Sequence, residues 1–193
     1  CVKKSGGAGG TASCRGFRGR APKPYAAAFF PRTSEALFAG AAEDGMTLYA
    51  TSGYRSYSTQ KAIFERKLDR MSEKQANLSV AKPGYSEHQT GLAMDIEGET
   101  TKGTGLTEAF GESPEGIWAA KHCAEYGFII RYPKDKTKIT GYIYEPWHLR
   151  YVGREAAQEI TALDVTFEEY IAMVRSDRIQ WLQEETQYDD QNP

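Results

Sequence analysis

Histidine is scarce in this 193-residue chain, which holds three, beside three cysteines and three tryptophans. Charge of one sign is lacking too: 24 basic side chains face 26 acidic ones, for a net charge of −2. That balance argues against nucleic acid or an anionic membrane surface as the main partner. No apolar run approaches the roughly 18 residues that cross a bilayer. Three cysteines are too few for a disulfide scaffold. Cys1 and Cys14 flank a Gly-rich segment and could pair, whereas Cys123 lies in an apolar helical pattern and reads as a small buried hydrophobe. What is present is ordinary for a globular domain: 40% hydrophobic and 26% charged residues, enough for one core and not two.

The chain begins at a cysteine rather than a methionine. This suggests the removal of an upstream signal or anchor. An N-terminal cysteine also resembles the mature end of a bacterial lipoprotein, which would make a membrane tether through this region possible; a plain cut in the chain explains it equally well. Residues 1–30, rich in Gly, basic residues and Pro, read as a flexible arm, 31–175 as the domain and 176–193 as a polar tail.

Helices are expected over 33–44, capped by Thr33 or Ser34, from Ser58 through Met71, and over 113–128 with Ser113 as cap and Pro114 in first position. Two more are expected in "REAAQEITAL" and in "TFEEYIAMV", the latter with a capping box from Thr166 to Glu169. "MTLYATS", "LAMDI", "FIIRYP" and "GYIYEPWHLRYVG" read as strands, and Pro146 argues that the last is an edge or a turn opening on a cleft. No repeat and no regular strand–helix alternation is found. The fold class is therefore α+β, a small antiparallel sheet flanked by helices.

Two of the three histidines sit beside acids. His88 precedes Asp95 in "SEHQTGLAMDI", and Glu145 precedes His148 in "YEPWHLRYVG". Two imidazoles and a carboxylate would give zinc three protein ligands and leave a fourth position for water. Glu145 would then be the base. Taken on spacing alone, this reading stands level with the ordinary one, in which such histidines only make surface hydrogen bonds. His122 lies within a helix and reads as a packing residue, and Met94 and Leu92 as apolar cover beneath Asp95.

These two segments closely resemble the VanY-type D-alanyl-D-alanine carboxypeptidases, zinc peptidases related to the L,D-carboxypeptidases of peptidoglycan, lysostaphin-like enzymes and the hedgehog domain. The similarity runs over about residues 33–174 and takes in "SGYRSYSTQ", "WAAKHCAEYGFIIRYP" and "TFEEYI". It implies Zn2+ held by His88, Asp95 and His148, with Glu145 as catalytic base and Arg55 on the scissile carbonyl and its oxyanion. Gln60, Ser86 and Trp147 are implied substrate contacts, although Trp147 could equally be a core aromatic. A departure at Trp118–Cys123, where relatives carry "WLxxNA", touches a supporting helix only. The expectation is a monomeric D,D-carboxypeptidase acting on peptidoglycan stem peptides outside the cytoplasmic membrane, with a possible part in glycopeptide resistance. An L,D-carboxypeptidase and a non-catalytic zinc-containing binding module are its rivals.

Overall fold

The computed structural model describes residues 26–191, with side-chain surroundings from 32 to 180. The possible Cys1–Cys14 pair lies outside the described residues. Helices α1 (Ala26–Glu43), α2 (Tyr57–Leu68), α3 (Glu73–Ala76), α4 (Ala109–Glu112), α5 (Pro114–His122), α6 (Thr137–Thr140), α7 (Arg154–Leu163) and α8 (Phe167–Gln191) surround four strands. The strands β1 (Leu48–Ser52), β2 (Ala93–Gly98), β3 (Phe128–Tyr132) and β4 (Glu145–Tyr151) form one antiparallel sheet in the order β1-β2-β4-β3. Among the described residues no helix is long and apolar enough to cross a membrane.

Strand alternation sorts the sheet into two faces. Met94, Ile96, Trp147, Leu149 and Phe128 point into the main core with Leu37 and Ala41 of α1 and Trp118 of α5. The opposite face carries Asp95, His148, Arg150 and Arg131, and its far end is closed by Ile129 against α7 and α8. Met94 thus lies on the core side of the sheet below Asp95, while Leu92 is outside the strand and half-buried. Leu149 is fully buried and pairs in register with Met94 and Ile130. Leu149→Ala should therefore cost about 2 to 5 kcal/mol. Urea unfolding of the metal-free protein would measure it, and a loss under about 1 kcal/mol would contradict this packing.

Three local expectations are corrected: the start of α1, the cap of α2 and the place of β4. α1 is already helical at Ala26 rather than beginning at Thr33, since Ala26, Ala27 and Ala28 are strong helix formers. The cap of α2 is Ser56, whose hydroxyl accepts from the Thr59 amide. The polar segment after 176 continues α8 as far as Gln191. Lastly, β4 is not an edge: it lies between β2 and β3. Pro146 is tolerated because the β3 pairing skips from Ile130 to Tyr132 at that point and the β2 pairing ends at His148, so no ladder bond needs its missing N–H. Ser113 and Pro114 open α5 as expected, and Thr166 and Glu169 exchange the two bonds of a capping box.

Candidate zinc site and catalytic cleft

His88 comes from a 3-10 turn, Glu87–Thr90, that enters β2 through Gly91. Gly91 has φ 73°, a left-handed conformation that glycine adopts without strain, and this allows the turn to run directly into the strand. The His88 carbonyl accepts from the Arg55 amide at 3.0 Å, and its Nδ1 lies 2.8 Å from the Gly53 carbonyl. A carbonyl can only accept, so Nδ1 carries the proton and Nε2 keeps its lone pair for a metal. Asp95 and His148 are direct cross-strand partners on β2 and β4. Asp95 Oδ2 lies 3.2 Å from His88 Nε2, and Asp95 Oδ1 lies 3.0 Å from His148 Nδ1. All three residues are buried, and their ligand atoms lie within 4.8 Å of one another.

Around this trio the charges are paired unevenly. Burial opposes ionisation of Asp95, but His148 and His88 outweigh it and hold the carboxyl far below its usual range. Burial likewise opposes a charged His148, yet Asp95, Glu87 and Glu145 push its pKa up to about 9. A cluster that keeps a proton this firmly on an imidazole has an excess of negative charge that a dication would neutralise. The donor set, the charge and the His88 tautomer fit zinc, and His148 would give up its Nδ1 proton on binding the metal.

Glu145, also buried, places Oε2 3.9 Å from His148 Nδ1. Burial, reinforced by Asp95, raises its pKa to about 7 against the pull of His148, Arg55 and Lys67. Arg55 gives Nη1 to Gln60 Oε1 at 2.9 Å and Nη2 to Ser52 Oγ at 3.0 Å, with Asp95 Oδ2 at 3.6 Å. Burial lowers the guanidinium's pKa, and Asp95 and Glu145 raise it. Gln60 is fully buried, and its Nε2 donates to the Ala81 carbonyl at 2.6 Å. Arg55, Gln60, Ser86, His88, Asp95, Glu145, Trp147 and His148 all line one cleft of about 320 Å³. Trp147 belongs to the core as well. The Ser86 side chain makes no capping bond to its turn. His122 is far from this chemistry, stacked on Trp118 and bonded to Glu125.

Sequence reasoning missed several neighbours. Tyr132 packs 5.0 Å from the His148 ring and stacks on Tyr142, and both tyrosines line the cleft with Lys67. The buried Arg131 and the half-buried Glu87 and Arg150 form an ion cluster behind His148. The one available signal was an arginine in the middle of the apolar run "FIIRYP".

Residues 27–154 match the family model described as D-alanyl-D-alanine carboxypeptidase, VanY. A putative carboxypeptidase of Bacillus subtilis, YodJ, is 52% identical over 139 residues, covering 72% of this chain and 50% of that protein. The chain therefore spans about half the length of that relative. The solved LdcB LD-carboxypeptidase is 50% identical with a TM-score of 0.69, over 73% of this chain and 65% of that one. A variant of the vancomycin-resistance D,D-pentapeptidase VanY, solved in complex with Zn(II), is 39% identical with a TM-score of 0.62, over 73% and 80%. With its buried His–Asp–His cluster at the four-stranded sheet and the turn leading into it, and a family match across most of the described domain, the chain belongs to the VanY family of D-alanyl-D-alanine carboxypeptidases.

Proposed function

We propose that this chain is a zinc-dependent D,D-carboxypeptidase that removes the C-terminal D-alanine from peptidoglycan stem peptides, outside the cytoplasmic membrane where such peptides are displayed. The observation that carries the reading is the convergence, in one cleft, of His88, Asp95 and His148 with a carboxylate and a guanidinium that are not needed as ligands. Zinc held by His88 Nε2, Asp95 and His148 Nδ1 would supply Lewis acidity and a water ionised near neutral pH. Glu145 accepts the proton of the attacking water on its carboxylate and returns it to the leaving amine, and the burial that raises its proton affinity suits that exchange. Arg55 meets the charge that develops on the carbonyl oxygen. Gln60 in this reading acts through Arg55, which it holds, rather than by touching substrate. Lys67 adds positive charge to a cleft that must receive an anionic chain end.

An L,D-carboxypeptidase that trims tetrapeptide stems is the second reading, favoured by the higher identity to LdcB. Incubation with penta- and tetrapeptide stems, followed by mass analysis, separates the two. The D,D reading expects loss of a single alanine from the pentapeptide and an untouched tetrapeptide. Cleavage of the tetrapeptide alone would replace it with the L,D reading, and cleavage of neither would end both.

A further inference from the structure

Behind the metal trio, two buried polar atoms face each other without a hydrogen-bond partner among the described residues: His148 Nε2 and Glu87 Oε2, 3.7 Å apart. Each is costly to bury unpaired. The other oxygen of Glu87 is fixed, with Oε1 2.8 Å from Arg131 Nε and 3.1 Å from Arg150 Nη1. Arg131 is itself gripped by both carboxylate oxygens of Glu168, at 3.0 and 2.5 Å, from the first turn of α8. Glu87 therefore cannot turn away from the imidazole without abandoning two guanidiniums.

We propose that Glu87 is a positioning residue for the metal: held by Arg131 and Arg150, its free oxygen closes the 3.7 Å gap to accept a hydrogen bond from His148 Nε2–H and so presents Nδ1 as the ligand atom. This rests on the zinc reading above. A histidine ligand is usually oriented in this way by an acceptor on its second nitrogen, and loss of that acceptor typically costs ten- to a hundredfold in metal affinity. His88 has its own orienting acceptor in the Gly53 carbonyl, so the two imidazoles are aimed independently and by different means. Arg131 and Arg150 would keep the carboxylate charged at its task, one oxygen for them and one for the imidazole.

The test is zinc affinity, read by competition with a chromophoric chelator, for the unaltered protein and for Glu87→Gln. The carboxamide keeps the shape but sets its amide donor competing with the oxygen for the place beside Nε2, and it gives up the charge. The expected result is a ten- to hundredfold weaker zinc site in the folded variant. Wild-type affinity in a folded Glu87→Gln would overturn the proposal. Should the variant fail to fold, 15N spectra of imidazole-labelled, zinc-loaded unaltered protein decide the matter. A slowly exchanging proton on His148 Nε2, with Nδ1 unprotonated and bound to zinc, supports the proposal, and a proton on Nδ1 overturns it. Absence of zinc binding by the unaltered protein would instead overturn the functional reading, and this proposal with it.

Discussion

Glu145→Ala is expected to leave zinc bound and to remove about a hundredfold or more of turnover, whereas His148→Ala loses both. The two residues are three apart on one strand, and Glu145 Oε2 lies only 3.9 Å from His148 Nδ1, so proximity alone does not distinguish their tasks. Their surroundings do. His148 is joined to Asp95 at 3.0 Å and belongs to the cluster whose ligand atoms converge, while Glu145 stands outside that cluster with its proton affinity raised towards neutral pH. A positioned acid–base group typically contributes a factor of 10² to 10⁴ in rate. Metal content by elemental analysis and turnover should be measured on the same samples. Stripping the unaltered protein with a chelator should abolish activity and added zinc should restore it. A zinc-loaded Glu145→Ala with nearly full turnover would remove Glu145 from its role as base. Activity that survives in metal-free protein would remove zinc from the mechanism altogether.

Arg55→Ala should lower turnover by roughly 3 to 4 kcal/mol of transition-state stabilisation, the usual loss for one oxyanion donor. The structure also supplies the competing account. Arg55 bonds Gln60 and Ser52 and approaches Asp95, so its removal leaves the buried Gln60 carbonyl oxygen without its donor and Asp95 with one less cation. That loss destabilises whatever the chemistry does. Melting temperature and turnover of one Arg55→Ala sample distinguish the two accounts. A destabilised variant whose folded fraction works at full rate would sink the oxyanion role. Arg55→Lys should recover only part of the rate, because an ammonium cannot span Ser52 and Gln60 as the planar fork does.

His88, Asp95 and His148 could be singled out in the sequence only through the family resemblance of the two segments that carry them, because residue types and spacing alone left the metal reading level with the ordinary one. The helix starts at Ser113 and Thr166 were legible directly, since a cap is written in four consecutive residues. Pro146 misled because its meaning depends on what β4 lacks beside it, and a gap in pairing with β3 is invisible along one strand. Glu87 was quoted within its motif yet passed over. Its role appears only when β3 and β4 bring Arg131 and Arg150 to the same face, and when Glu168 arrives from α8. Such a cluster is assembled by register, which one chain read linearly does not display.

The cross-strand pairing of Asp95 with His148 also ties metal affinity to how the chain finds its fold. A slip of one residue between β2 and β4 would turn one of the two side chains through the sheet into the core and leave the other facing an apolar neighbour. The ligands are 53 residues apart, so a whole site reports that the central hairpin-like pairing has closed over a long loop. Loop closure over that distance is among the slower and more entropically demanding events in folding. Zinc would then act as a proofreader of topology: it stabilises the correct register by mass action and offers nothing to a slipped sheet.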